Sequence, residues 1–162
     1  MGDLYIRNIV FGIADSLIST VGLLSGIDIA GKQRSVIVLT GVVYAFVEAF
    51  SMAVGGFLSE ESIEQYQAKG NAHGRRPLRA GVIMFLSFLL ASFIPLFPYL
   101  TLSISLAFWF SIALSLVTLF IMGLITANVS GTPPLRRALK MMLLGGAAIV
   151  LGVVVGKFVH VE

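Results

Sequence analysis

The chain has 162 residues, of which 57% are apolar, only 12% are charged and none is cysteine. A soluble domain of this size carries about 25% charged residues and enough polar surface to cover its core. A mean hydropathy of +0.98 therefore excludes a soluble globular domain and a disordered chain, and the lack of cysteine excludes a disulfide-stapled secreted module. The composition predicts an all-α integral membrane protein.

Five apolar stretches are long enough to cross the hydrocarbon layer, which takes about 20 residues for each helix. They cover about residues 9–29, 36–58, 80–97, 100–125 and 138–158. The first contains Asp15 and is too long for a signal-peptide core, so we do not interpret it as a cleaved targeting segment. Residues 95–99, with a proline at each of positions 95 and 98, predict a tight hairpin between the third and fourth spans. Residues 59–79 form the sizeable connection, a short cytoplasmic segment too small for a separate soluble domain.

Basic residues are divided unequally between the two sides of this predicted bundle. Five spans place the N-terminus, residues 59–79 and residues 128–137 on one side, which then holds eight basic residues against three on the other. The eight are Arg7, Lys69, Arg75, Arg76, Arg79, Arg136, Arg137 and Lys140, and the three are Lys32, Arg34 and Lys157. The positive-inside rule therefore predicts a cytoplasmic N-terminus and an external C-terminus. No basic face with aromatic or groove-reading context is present, so the partners expected are the lipid bilayer and no nucleic acid.

Two acidic residues, Asp15 and Glu48, lie well inside predicted spans, away from the span ends. A charge at the bilayer centre costs about 2.5–3.5 kcal/mol or more, so such residues indicate a functional site. Asp15 and Met52 are predicted to lie at similar depths, with Glu48 one turn deeper than Met52 on the same helical face. Two carboxylates and a thioether favour a borderline divalent ion such as Fe²⁺ or Mn²⁺. The alternative is that both acids are protonated and join helices, and that Met52 only packs.

Other polar and small residues suggest how such a site would be supplied and enclosed. Burial raises the proton affinity of a carboxylate, so Glu48 would suit a proton carrier as well as a metal ligand. Glu60, Glu61 and Glu64 continue the second span and predict a cytoplasmic metal-entry region, with a solvated helix end as the alternative. The pairs Gly22/Gly26 and Gly152/Gly156 have the spacing of close helix contacts, either within the chain or in a homodimer.

Four motifs in chain order carry a family resemblance that extends over about residues 8–157. They are Ile13 to Gly26 in the first span, Ser51-Met52-Ala53-Val54-Gly55 with Phe57-Leu58-Ser59 in the second, Pro77 to Tyr99 around the third, and Arg136, Gly145, Ala147, Ala148 and Gly156 in the fifth. Together they resemble the vacuolar iron transporter family, which includes the nodulin-21-like proteins. The resemblance implies a five-span, dimeric carrier that moves Fe²⁺ or Mn²⁺ out of the cytoplasm in exchange for protons. It also implies that Asp15 and Met52 belong to the translocation path.

The chain departs from the family pattern at two places. The glutamate that commonly follows the Ser-Met-Ala-x-Gly run is Gly56 here, and we hypothesise that Glu48 takes over its charge. The best-studied members insert a long, Glu-rich helical domain where this chain has only about 21 residues, from 59 to 79. Metal capture in the cytoplasm would then depend on Glu60, Glu61 and Glu64, or be absent.

These departures leave three functions to compare. The first is a proton-driven exporter of Fe²⁺ or Mn²⁺ without a bound cofactor, the second a transporter of a different cation, and the third a non-transporting membrane scaffold or subunit. An enzyme is not expected, because the sequence has no nucleophile–base pair, phosphate-binding loop or Cys/His metal cluster. Without a targeting extension, the expected location is a prokaryotic plasma membrane.

Overall fold

The protein forms five helices in a computed structural model, which describes residues 2–67 and 75–158, with side chains from Tyr5 onward. In chain order these are α1 (Gly2–Ile29), α2 (Arg34–Gln67), α3 (Arg75–Thr101), α4 (Ile104–Ser130) and α5 (Pro134–Phe158). Each helix is long and apolar enough to cross a membrane, so the chain is a multi-pass membrane protein. Most helices extend beyond the predicted spans, because α-helical hydrogen bonding continues past the apolar stretch that the hydrocarbon requires. Lys69, which the orientation prediction uses, lies outside the described residues.

The first helix, α1, is the centre of the bundle and packs against all four others. α2 packs mainly on α3 and much less on α1, whereas α5 packs on both α1 and α4. Buried apolar side chains form two clusters along this arrangement, one around Leu24 and Tyr99 and the other around Leu17 and Leu119. Large apolar residues such as Leu90 and Trp109 point outward, as expected of helices that face lipid.

Ion pairs and hydrogen bonds show which helix ends meet. At one end, Arg7 of α1 and Arg76 of α3 both pair with Glu60 of α2, at 2.8 Å and 2.7 Å. We call this the basic end of the bundle. At the opposite end, the Tyr99 hydroxyl donates to Asp28 at 2.8 Å, and the Arg34 guanidinium donates to the backbone carbonyls of Tyr99 and Leu100. The helices therefore alternate in direction, as five consecutive spans require.

The predicted hairpin at residues 95–99 is wrong. α3 continues through Pro95 and Pro98 to Thr101, and the turn to α4 falls at positions 102 and 103. Proline removes one backbone donor, but membrane helices tolerate it where neighbouring helices supply packing and hydroxyl groups. Here both prolines are buried, and the Ser111 hydroxyl of α4 donates to the Pro95 carbonyl at 2.7 Å. Contact with α4 thus holds the helix together where the local sequence favours its end.

The two small-residue motifs pack against each other inside one chain. A Cβ added to Gly26 of α1 would lie 2.7 Å from the carbonyl oxygen of Gly152 in α5. A Cβ on Gly152 or on Gly156 would overlap the carbonyl oxygens of Gly22 and Gly26 respectively. We call this contact the glycine seam. Of the two uses that the motifs predict, the seam accounts for packing within the chain.

Candidate functional site

The ion pair between Arg7 and Glu60 sets the relative depth of the residues on α1 and α2. Asp15 lies eight residues after Arg7, and Met52 lies eight residues before Glu60. At about 1.5 Å per residue, both are about 12 Å from the ion pair, toward the middle of the bundle. This antiparallel register supports the similar depths that the sequence predicts for Asp15 and Met52.

Tyr44 links the two carboxylates that the sequence places inside the membrane. Its side chain lies close enough to the Ser19 hydroxyl of α1, and to the carboxylates of Asp15 and Glu48, to interact with all three. The Ser19 hydroxyl also donates to the backbone carbonyl of Asp15 at 2.6 Å. We call Asp15, Ser19, Tyr44 and Glu48 the Tyr44 cluster. It crosses from α1 to α2, which pack against each other less than α1 packs against α3 or α5.

The carboxylates of this cluster are half-buried and are not used to join helices. Within the described helices, no side-chain hydrogen bond involves the carboxylate of Asp15 or of Glu48. No group of three His, Cys, Asp or Glu side chains that would hold a metal ion occurs in the described part of the chain. The arrangement therefore offers two separate carboxylates and a phenol in a low-dielectric region, and a cation there would keep part of its hydration.

A cavity of about 490 Å³ adjoins the cluster on the side of the basic end. Its lining includes Met52 of α2, Met84 of α3 and Asn8 of α1. Asn8 is only 2% exposed, and its amide nitrogen has no hydrogen-bond partner among the described residues. A Cβ on Gly56 would lie 2.6 Å from the Met84 sulfur, so this thioether fills the space beside the glycine. The cavity thus contains two thioethers and an unpaired amide, polar groups that a passing ion or its water can use.

The three glutamates of the predicted metal-entry region lie in different surroundings. Glu60 is 2% exposed, and its two carboxylate oxygens are taken by Arg7 and Arg76. Glu61 and Glu64 are half-buried, and one Glu64 oxygen is buried without a partner among the residues described. Glu60 therefore joins α1, α2 and α3 through its ion pairs. Of the three glutamates, Glu61 and Glu64 are the two that do not pair with Arg7 or Arg76.

Tyr44, Ser19 and Asn8 are absent from the residues that the sequence predicts for the site. Tyr44 precedes Glu48 by four residues, and Ser19 follows Asp15 by four, so each pair shares a helical face. That spacing was a usable signal, but serine and tyrosine are common in membrane helices as packing residues. Asn8 gave no signal, because its lack of a partner depends on which helices surround it.

Comparison with known proteins adds a family to this geometry. The model of the VIT family matches residues 6–76 and 63–157, nearly the whole chain. The chain belongs to the VIT family. It is 22% identical to Vacuolar iron transporter 1 of Arabidopsis thaliana over an alignment of 203 positions, gaps included. This alignment covers 88% of this chain and 81% of that protein. The chain is 32% identical to Vacuolar iron transporter homolog 4 of the same plant over 102 residues, covering 57% of this chain and 52% of the relative.

The VIT-family matches also bear on the short segment between α2 and α3. The two matches to the family model overlap at residues 63–76, where α2 ends and α3 begins. The alignment with Vacuolar iron transporter 1 extends over 203 positions, more than the 162 residues of this chain, so that relative carries residues with no counterpart here.

Proposed function

We propose that this VIT-family protein transports a divalent transition-metal ion, Fe²⁺ or Mn²⁺, out of the cytoplasm in exchange for protons. The observation that carries the proposal is the Tyr44 cluster, in which Asp15 and Glu48 lie at membrane depth without hydrogen-bond partners for their carboxylates among the described residues. Carboxylates at membrane depth are costly unless a cation or a proton neutralises them. The names of the two plant relatives support iron as the cation.

The same geometry supports a simple order of events. An ion enters the cavity beside Met52 and Met84, where the two thioethers replace part of its water and the Asn8 amide nitrogen can donate to a water that stays bound. It then meets Asp15 and Glu48, whose negative charges balance it, and protons move in the opposite direction to complete the exchange. With few protein ligands the ion is held weakly enough to leave, which a carrier requires.

Orientation and assembly belong to the same proposal. The basic end faces the cytoplasm, because the eight basic residues of that side outnumber the three of the other. Export is then movement from the basic end toward Asp28 and Tyr99.

We also propose a homodimer, because one bundle leaves the Tyr44 cluster only half-buried and a second copy would shield the path from lipid.

The test is transport by the purified protein in liposomes that contain a pH-sensitive dye. We expect Fe²⁺ or Mn²⁺ gradients to drive proton movement, and Asp15→Asn or Glu48→Gln to abolish it while the protein stays folded. Thr118→Val is the control, since the Thr118 hydroxyl only donates to the Leu114 carbonyl of its own helix. The absence of a signal with every ion tried would overturn the proposal.

The same assay separates the two alternatives. Co²⁺, Zn²⁺ and Ca²⁺ in parallel vesicles identify a transporter of a different cation, since one of these would then drive the proton signal while Fe²⁺ and Mn²⁺ do not. A scaffold that uses Asp15 and Glu48 to join helices predicts that the amide variants behave as the unsubstituted protein, because amides keep the hydrogen bonds.

A further inference from the structure

A second cavity at the basic end, of about 560 Å³, lies between α1, α4 and α5 and shares only Arg7 and Phe11 with the cavity beside Met52. Its lining includes two arginines, Arg7 and Arg137, together with Ser130 at the end of α4. Val10, Ala14 and Met141 line its apolar interior. We call it the arginine groove.

Arg7 and Arg137 each make a hydrogen bond within the protein and still have N–H donors left that could bind a ligand. The Arg137 Nε donates to the Thr126 hydroxyl at 3.1 Å, which fixes the guanidinium and leaves its terminal nitrogens. One terminal nitrogen of Arg7 donates to Glu60, while 58% of the Arg7 side chain stays exposed. A guanidinium has five donors, so each retains several. No carboxylate is among the described residues that line the groove, so its lining is basic, with Glu60 outside it balancing part of the Arg7 charge.

We propose that the arginine groove binds an anionic phospholipid, with the phosphate between Arg7 and Arg137 and an acyl chain along the apolar interior. Guanidinium groups match the geometry of phosphate oxygens, and a basic pocket between helices at one membrane face suits a lipid headgroup. The volume lies within the range of about 300–1,000 Å³ that is usual for ligand sites. Phe11 and Val129 at its side are half exposed or more, so the groove opens toward the lipid phase.

A second copy of the chain fits this groove less well. Two-fold pairing through the same surface would bring Arg7 and Arg137 of each copy toward those of the other, and like charges facing each other are unfavourable. A lipid phosphate has the opposite charge and supplies the apolar tail that the interior accommodates. The proposal does not depend on metal transport, because it concerns a separate surface.

Native mass spectrometry of the purified protein, delipidated and then supplied with equal amounts of phosphatidylglycerol and phosphatidylcholine, tests the proposal. We expect the protein to retain phosphatidylglycerol preferentially, and Arg137→Gln to lower that preference about fivefold more than Arg136→Gln. Arg136 is the matched control, since it is the adjacent residue of α5, carries the same charge, is exposed and does not line the groove. The Arg137 variant should fold, because the Thr126 hydroxyl keeps its bonds to the carbonyls of Met122 and Gly123.

Three results would overturn the proposal. The first is an unsubstituted protein with no preference for phosphatidylglycerol, and the second is an equal effect of both substitutions, which would indicate diffuse charge attraction. The third is competition by inorganic phosphate at the lipid's own concentration, which would indicate a site for free phosphate.

Discussion

The central helix α1 contacts α5 and α2 in different ways, although a cavity adjoins both contacts, the one along the glycines of α1 and α5 being about 570 Å³. On one side, Gly22 and Gly26 meet the glycines of α5 so closely that a methyl group would overlap a backbone carbonyl. On the other, α1 approaches α2 loosely and leaves a cavity of about 490 Å³, the Tyr44 cluster and an Asn8 amide without a partner among the described residues. Dense packing of small residues stabilises helices in a membrane, whereas unpaired polar groups cost free energy there.

This difference separates the residues that hold the bundle from those that would carry an ion. The glycine seam has no chemistry to offer a cation but fixes α1 against α5. The loose side can change its contacts at little cost, as a path for an ion requires. We therefore expect substitutions in the seam to act on stability, and substitutions in the Tyr44 cluster to act on transport with little effect on stability.

Gly152→Leu, a substitution in the glycine seam, should have the largest effect on stability. The new side chain would overlap the carbonyl oxygen of Gly22, so α5 must separate from α1. We expect a loss of stability above about 3 kcal/mol, which is beyond ordinary overpacking, measured as thermal unfolding and loss of a single peak in size-exclusion chromatography. Gly146→Leu is the control on the same helix, because a Cβ there meets no atom within 4 Å. Equal behaviour of the two variants would contradict the seam.

The sequence predicts this molecule well where a signal is local. The number of helices follows from five apolar stretches, and Asp15 and Glu48 stand out because a charge inside such a stretch is rare. The glycine spacing also predicts close contacts, although nothing local indicates that α1 and α5 are the partners.

Features that depend on a second helix could not be predicted in the same way. Pro95 and Pro98 favour the end of a helix locally, but both are buried among neighbouring helices, and α3 continues to Thr101. The acidic run at Glu60 looks like a solvent-exposed surface, but Arg7 and Arg76, from distant parts of the chain, enclose Glu60. Tyr44 belongs to the candidate site because of where Ser19 lies, and that is a property of the pair α1–α2.

The Glu60 ion pairs should produce the next largest effect, and an asymmetric one. The double substitution Arg7→Met with Arg76→Met leaves the Glu60 carboxylate buried without a counter-charge, which costs about 3–5 kcal/mol. Glu60→Met removes the buried charge and leaves two arginines that are more than half exposed, so we expect a smaller loss of about 1 kcal/mol. Unfolding in detergent at matched salt measures both. Equal losses of stability would mean that the Glu60 carboxylate is solvated. It would then be available for the metal-entry role that the sequence predicts.

Substitution of two tyrosines by phenylalanine tests the difference between the two sides of α1 with the smallest chemical change. Each substitution removes one phenolic hydroxyl, but the two hydroxyls lie in different parts of the bundle. Tyr99→Phe breaks a 2.8 Å bond to Asp28 at the opposite end, from a residue that is fully buried, and we expect it to lower stability by about 1 kcal/mol. Tyr44→Phe removes the hydroxyl between Asp15 and Glu48, where the protein packs loosely. We expect a smaller change in stability, under about 0.5 kcal/mol, and a fivefold or greater loss of metal-driven proton movement, on the order of one hydrogen bond in the transport barrier.

The pair is informative because the two measurements should move in opposite order. We expect Tyr99→Phe to cause the larger loss of stability in detergent unfolding. We expect Tyr44→Phe to cause the larger loss of metal-driven proton movement in liposomes. If Tyr99→Phe reduces transport as much as Tyr44→Phe does, the opposite end shares in ion release and the division of α1 into a structural and a transporting side fails. If Tyr44→Phe destabilises the protein instead, the Ser19–Tyr44 contact holds α1 against α2, and the loose side is a packing surface after all.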